Sequence, residues 1–195
     1  MNELVFATHN PNKLYEIKQM MPGGIRLLSL EDIGCLEEIP ETADTLEGNA
    51  RIKAAHVWEH YGYDCFADDT GLEVAALQGA PGVYSARYAG PEADAQANIQ
   101  KLLSQMEAQV DRSARFRTSI ALVHDGQFHF FEGSVSGQIL RESRGSGGFG
   151  YDPVFMPEGY QKSFAQLPLQ VKNEISHRGR AFRKLSTFLH DSAGQ

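Results

Sequence analysis

Apolar residues recur along the chain with two periods, one helical and one alternating, and segments of each kind interleave. Leu4–Ala7 is a short apolar run, read as a strand. The turn Thr8-His9-Asn10-Pro11 follows, with Asn10 placed to cap a helix and Pro11 to be its first residue. Leu14, Ile17 and Met21 share one face of that helix, and Pro22-Gly23-Gly24 stops it. Residues 45–61 form a second helix, capped by Thr45 and striped by Leu46, Ala50, Ala54, Val57 and Tyr61. Asn49 and Lys53 lie one turn apart on its neighbouring face, and Gly62 ends it. Cys65-Phe66-Ala67 is a buried strand that delivers Asp68 and Asp69 at its end, and 79–82 is a loop. A third helix covers about 93–107, with Ile99, Leu102, Leu103 and Met106 on one face. Phe116, Thr118, Ile120 and Leu122 alternate, Asp125-Gly126 turns, and Phe128 and Phe130 alternate again. That is the pattern of a hairpin with a type I′ turn. Val135 and Ile139 continue as a further strand, 144–152 is glycine-rich, and a last helix begins near Ser176 and carries Ala181, Phe182, Leu185, Phe188 and Leu189. The interleaving around an antiparallel hairpin predicts one mixed-sheet α/β domain over residues 1–195.

Charge narrows the partners. The net charge is −7, from 18 Lys and Arg against 25 Asp and Glu, which argues against a nonspecific nucleic-acid binder. It leaves a small anionic ligand open, because the local field decides that. Leu27 to Ala50 holds seven acids and no base, whereas Lys172 to Lys184 holds five bases and one acid. The two stretches suit a metal and a phosphate, or two solvated faces. No apolar run exceeds four residues, far short of the ~20 that span a bilayer. Cys35 and Cys65 provide no disulfide framework and no metal spacing. MNELVFATHN lacks the features of a signal peptide, so the cytosol is the expected compartment.

Two short motifs fail on context. Gly145 to Gly150 has the letters of GxGxxG, but Asp152-Pro153 follows where a dinucleotide site needs a helix. His56-Val-Trp-Glu59-His60 has the letters of a zinc-peptidase helix, but the pattern supplies no third ligand or cavity. These two are read as surface histidines.

Four segments carry candidate chemistry. Thr8 to Lys13 ends a strand, turns and opens a helix, and a helix N-terminus attracts anions. An ordinary capped helix with an exposed lysine is the plain alternative. Asp68-Asp69-Thr70-Gly71 puts two carboxylates together, whose repulsion calls for a cation such as Mg²⁺. Glu41 with Asn49 and Lys53 completes a metal–phosphate site or decorates a solvated helix face. Phe149-Gly150-Tyr151-Asp152 with Lys172, His177 and Arg178 offers rings to stack on a base and polar groups to read its edge.

With these segments in view, the chain resembles the inosine-triphosphate pyrophosphatase family. The matching stretches are FATHNPNK at 6–13, ETADTLEGNARIKA at 41–54, FADDTGLEV at 66–74, GAPGVYSARYAG at 79–90, GSGGFGYDPVF at 145–155 and KNEISHRGRA at 172–181. The resemblance implies an elongated mixed β-sheet with flanking helices, two lobes around a central active-site cleft, and a homodimer. It implies Mg²⁺-dependent hydrolysis of ITP, dITP and XTP to the monophosphate and pyrophosphate. By position, Thr8, His9, Asn10, Pro11, Asn12 and Lys13 would hold the triphosphate, assisted by Lys53 and Thr70. Glu41 and Asp69 would hold the metal, and Asp69 would accept the proton of the attacking water. Phe149, Gly150, Tyr151, Asp152, Lys172, His177 and Arg178 would hold the nucleoside. Thr70 stands where serine is usual, Ala75 where an acid is common and Gln166 where glutamate is common. The sequence does not say physically which of Asp68 and Asp69 is the base. A pyrimidine-preferring relative and a non-hydrolytic nucleotide binder are the competing readings.

Overall fold

The computed structural model describes residues 3–193. In chain order the elements are β1 (Glu3–Phe6), α1 (Pro11–Lys18), β2 (Arg26–Leu28), α2 (Leu46–Tyr61), β3 (Cys65–Val74), β4 (Pro81–Gly82), α3 (Ala95–Gln105), β5 (Ser113–His124), β6 (Gln127–Ile139), β7 (Phe155–Pro157), α4 (Leu169–Ile175) and α5 (His177–Ala193). The sheet runs β2-β1-β3-β5-β6-β7, with β4 paired to β3. β1 is parallel to β2 and β3, whereas β3–β4 and β6–β7 are antiparallel. The α/β mixed sheet is as the sequence predicts.

The chain forms two compact units. Among the described residues, one takes in 3–69, Thr118–Gly133 and 178–193; the other is Thr70–Arg117 with Ser134–His177. In the first unit Leu4–Phe6 of β1 and the adjoining stretches of β3 and β5 are buried on both faces, and alternate residues supply two cores. Val5, Ala7, Cys65, Ala67, Ala121 and Val123 pack with Ala50, Ala54 and Val57 of α2. Leu4, Phe6, Phe66, Ile120 and Leu122 pack with Ile17 of α1 and Ala181, Phe182, Leu185 and Leu189 of α5. In the second unit one core gathers Leu72, Val74, Ile99, Leu102, Phe116, Val135, Tyr151, Phe155 and Phe164.

Local signals account for most of the boundaries. Asn10 caps α1 with Pro11 as its first residue, Thr45 caps α2 and Gly62 ends it at φ 71°. Asp125 and Gly126 both have positive φ, 48° and 75°, as the type I′ turn between β5 and β6 requires. Other expectations change. α1 ends at Lys18, before Met21 and Pro22. Pro81–Gly82, in the expected 79–82 loop, is β4. β3 does not stop before the two acids but runs through them to Val74, because Leu72 and Val74 are again buried and Leu72 pairs Gly82 across to β4. β6 is one strand from Gln127 to Ile139, so Val135 and Ile139 belong to it and not to a further strand. α4 precedes the last helix and has no apolar stripe; its buried residues are Lys172 and Asn173.

Candidate active site

The side-chain period of a strand is two, so consecutive residues leave opposite faces. On β3, Phe66 packs toward α1 and α5 while Ala67 packs toward α2. Asp68 and Asp69 continue that alternation. The two carboxylates therefore leave opposite faces of the strand, Asp68 beside Lys13 and Arg178 and Asp69 beside Lys53.

Asp68 is closed in by charge. Its Oδ1 accepts from Lys13 Nζ at 2.8 Å and its Oδ2 from Arg178 Nε at 2.9 Å. Arg178 also donates through Nη1 to Glu16 Oε2 at 2.6 Å. The side chains of Asp68, Arg178 and Glu16 are each at most 4% exposed. Burial alone would raise the Asp68 carboxyl, but Lys13, Arg178 and Lys53 outweigh it and hold it well below the usual carboxylate range. The same burial pulls Lys13 below its ordinary value, against the pull of Asp68.

Asp69 is differently placed. Its Oδ2 accepts from Asn49 Nδ2 at 3.1 Å, and its Oδ1 lies 3.9 Å from Lys53 Nζ. Burial raises its carboxyl and wins over Lys53, Lys13 and Asn49, with Glu41 adding to the rise. Lys53 Nζ donates to Glu41 Oε1 at 2.6 Å and to the Asp68 carbonyl at 2.7 Å. Burial works against the Lys53 ammonium, but Asp69, Glu41 and Asp68 together raise its pKa. Asn49 Oδ1 accepts from Ala43 N at 2.9 Å, which ties down the segment carrying Glu41. Glu41 and Asp69 thus contact one ammonium and present only oxygen donors, the set a hard divalent cation takes.

The loop before α1 is partly self-satisfied. Asn10 Oδ1 accepts from Asn12 N at 2.9 Å and Lys13 N at 3.2 Å, and Thr8 Oγ1 accepts from Asn10 N at 3.1 Å. His9 is exposed and bonds through Nε2 to the Glu37 carbonyl at 2.9 Å; Pro11 and Asn12 are exposed too. Lys13 is neither exposed nor unpartnered, as the plain reading of this helix would have it.

In the second unit, Asp152 Oδ2 accepts from Phe149 N at 2.8 Å and from Lys172 Nζ. The Lys172 ammonium stands 5.0 Å from the Phe149 ring centre and 5.8 Å from that of Phe164. His177 stacks on Phe116 with ring centres 4.6 Å apart. Asp152, Lys172 and His177 are buried, Phe149 and Gly150 partly so. Tyr151 turns inward, its hydroxyl donating to the Ser85 carbonyl at 2.8 Å within the apolar core. Thr70, half-buried, is the next residue of β3. The sequence reading does not single out Glu16, a buried acid on a helix face, nor Phe116 and Phe164 as the aromatic bed of His177 and Lys172. A charged residue beside apolar Ile17 was the available signal for the first.

These motifs have close counterparts. The model of the Ham1 family matches residues 4–188. A dITP/XTP pyrophosphatase of Christiangramia forsetii is 59% identical over 187 residues, 96% of this chain and 98% of its own length. That of Bacillus subtilis is 46% identical over 193 residues, covering 97% and 98%. Among solved structures, a HAM1 protein from Coxiella burnetii matches with a TM-score of 0.90 and 41% identity, over 98% of this chain and 100% of that one. The Staphylococcus aureus Ham1 protein matches with a TM-score of 0.88 and 38% identity, over 97% and 99%.

Proposed function

The chain belongs to the Ham1 family, and we propose that it hydrolyses the aberrant purine nucleoside triphosphates ITP, dITP and XTP to the monophosphate and pyrophosphate. Relatives named dITP/XTP pyrophosphatase that match nearly the whole chain support this. The observation in this structure that carries it is the unequal state of the two acids on β3. Asp68 has both oxygens committed to cations and serves to hold Lys13 and Arg178. Asp69, raised by burial beside Glu41 and Lys53, is the group fit to take a proton from water.

Glu41 and Asp69 hold Mg²⁺, which when bound neutralises phosphate charge and lowers the pKa of its water. Thr8, His9, Asn10, Pro11, Asn12 and Lys13 receive the triphosphate, with Lys53 and Thr70 beside them. Phosphoryl-group hydrolysis rests mostly on positioning and charge neutralisation. The substrate's oxygens compete with Asp68 for Lys13 and with Glu41 for Lys53, so both ammonium groups are positioned before it arrives. Phe149, Gly150, Tyr151, Asp152, Lys172, His177 and Arg178 serve the nucleoside. Phe149 stacks, Asp152 and Lys172 form one charged pair, and Tyr151 supports the loop from inside. Among the described residues no helix is long and apolar enough to cross a membrane. A homodimer is the state the resemblance implies, and the cytosol is the compartment inferred from two free buried thiols.

Pyrophosphate release from ITP, XTP, dITP, GTP and ATP, with and without Mg²⁺, tests the reading. Mg²⁺-dependent release favouring ITP, dITP and XTP is expected; pyrimidine preference or binding without release overturns it. Asp69→Asn keeps the side-chain shape and removes the base. Turnover should fall by ~10²–10⁴, the usual worth of such a group, with the circular dichroism unchanged. A folded variant that keeps more than about a tenth of wild-type activity at saturating Mg²⁺ sinks the role of Asp69.

A further inference from the structure

Away from the two acids, the segment before α2 meets the middle of that helix at Cys35, Glu37 and His56. One ligand atom from each lies within 4.8 Å of the other two. His56 Nε2 is 2.9 Å from Glu37 Oε1, and the Tyr61 hydroxyl donates to the same carboxylate at 2.8 Å. We propose that Cys35 Sγ, a Glu37 carboxylate oxygen and His56 Nε2 form a binding site for one borderline-soft divalent cation, Zn²⁺ or Co²⁺, separate from the oxygen site at Glu41 and Asp69.

The donor set selects the ion. Thiolate, imidazole and carboxylate together match zinc, whereas magnesium takes oxygen alone. Charge closes as well, since a thiolate and a carboxylate neutralise a dication. Bonds of about 2.0–2.3 Å put tetrahedral ligand atoms roughly 3.3–3.8 Å apart, so side-chain adjustments of about an ångström suffice. Two of the three ligands sit on a fixed frame. Cys35 is fully buried, its backbone N–H bonded to Leu30 O at 2.9 Å, and His56 is inside α2. Glu37 is half-exposed and gives the ion a way in. The fourth position is left for water or a further donor.

The pair His56/His60 was set aside at the sequence level as a zinc motif. The structure stacks the two rings, with His60 Nδ1 on the His56 carbonyl, and turns the Nε2 of His56 toward Glu37. The proposed site thus uses one histidine of that motif, with Cys35 and Glu37 as its partners in place of Glu59 and His60. Metal here would fasten the 35–41 segment to α2. That segment carries Glu41, and its Glu37 carbonyl accepts from His9 Nε2 of the loop before α1.

Titration of chelator-treated protein with Co²⁺ reads the site directly. The expected result is one equivalent that develops thiolate-to-cobalt charge-transfer absorption with tetrahedral visible bands, and that Zn²⁺ displaces. Cys35→Ser should abolish the charge-transfer band. Glu37→Gln and His56→Gln should weaken binding by at least about tenfold. Cys65→Ser and Asp69→Asn should keep the band, because neither touches these ligands. Asp69→Asn also separates this proposal from the reading of the active site. Absence of the band in the wild type, or its survival in Cys35→Ser, overturns the proposal. Circular dichroism on each variant shows that a lost band reflects a lost ligand, and exposed Glu37 keeps the test open should the buried Cys35 variant misfold.

Discussion

Arg178 spends its Nε on Asp68 and its Nη1 on Glu16, with all three side chains sealed from solvent. Removing one partner of a buried ionic set leaves uncompensated charge, which costs about 3–5 kcal/mol. Arg178→Ala should lower the unfolding free energy by about that much in urea titration, while exposed Arg26→Ala, whose Glu3 partner is also exposed, should change it by under about 1 kcal/mol. Base reading by Arg178 has to be separated from this scaffold loss. The ratio of kcat/KM for two nucleotides does so, because the folded fraction cancels. A guanidinium is all donor and suits the O6 acceptor of hypoxanthine, where adenine presents an N–H donor. The ITP/ATP ratio of Arg178→Ala should therefore collapse, and the ITP/GTP ratio should move less, since both bases share O6. An unchanged ITP/ATP ratio leaves Arg178 a purely positioning residue for Asp68.

At the scale of elements, the glycine-rich stretch before β7 works by exclusion. Gly148 has φ +68°, and a Cβ there would collide with Asp152 Oδ2, the atom that holds Phe149 N and Lys172. Gly148→Ala should displace that carboxylate and raise KM for ITP by about tenfold, the worth of one charge-assisted hydrogen bond. Its kcat should change far less, the reverse of Asp69→Asn, and steady-state kinetics on the two variants checks the contrast. An unaltered KM in a folded variant removes Asp152 from nucleoside binding. The same scale shows what sequence can reveal. The β5–β6 turn is legible because only a type I′ turn suits Asp125-Gly126 between alternating apolar runs. α4 is not, because its buried residues are Lys172, which pairs with Asp152, and Asn173, and no apolar periodicity announces either. β3 looks shorter than it is because two acids interrupt its apolar run. The residue types of the site are legible for a similar local reason, but their pairings are not. Lys13–Asp68, Arg178–Asp68 and Arg178–Glu16 span 55, 110 and 162 positions, and only the folded topology chooses them.

For the molecule as a whole, the C-terminal helix is where stability and site meet. The first unit is assembled from three separated stretches of chain, and the last of them is α5. That helix contributes Phe182, Leu185 and Leu189 to the core that covers Leu4, Phe6, Phe66, Ile120 and Leu122, and Arg178 to the face where Asp68 emerges. Fully burying each of three such side chains is worth about 1.5–3 kcal/mol. Their sum, roughly 5–9 kcal/mol, rivals the whole 5–15 kcal/mol that keeps a typical domain folded. A chain ended after Ser176 should therefore lose the first unit's structure altogether. Native-state amide exchange should report it as lost protection at Leu4, Phe66, Ile120 and Leu122, and nucleotide hydrolysis should vanish with it. Leu185→Ala is the graded form of the same test. It should cost about 2–5 kcal/mol, as a fully buried leucine does, and still bind nucleotide below its lowered melting temperature. Retained protection of β1 and β3 in the shortened chain would mean that α5 is only an attachment to a core complete without it.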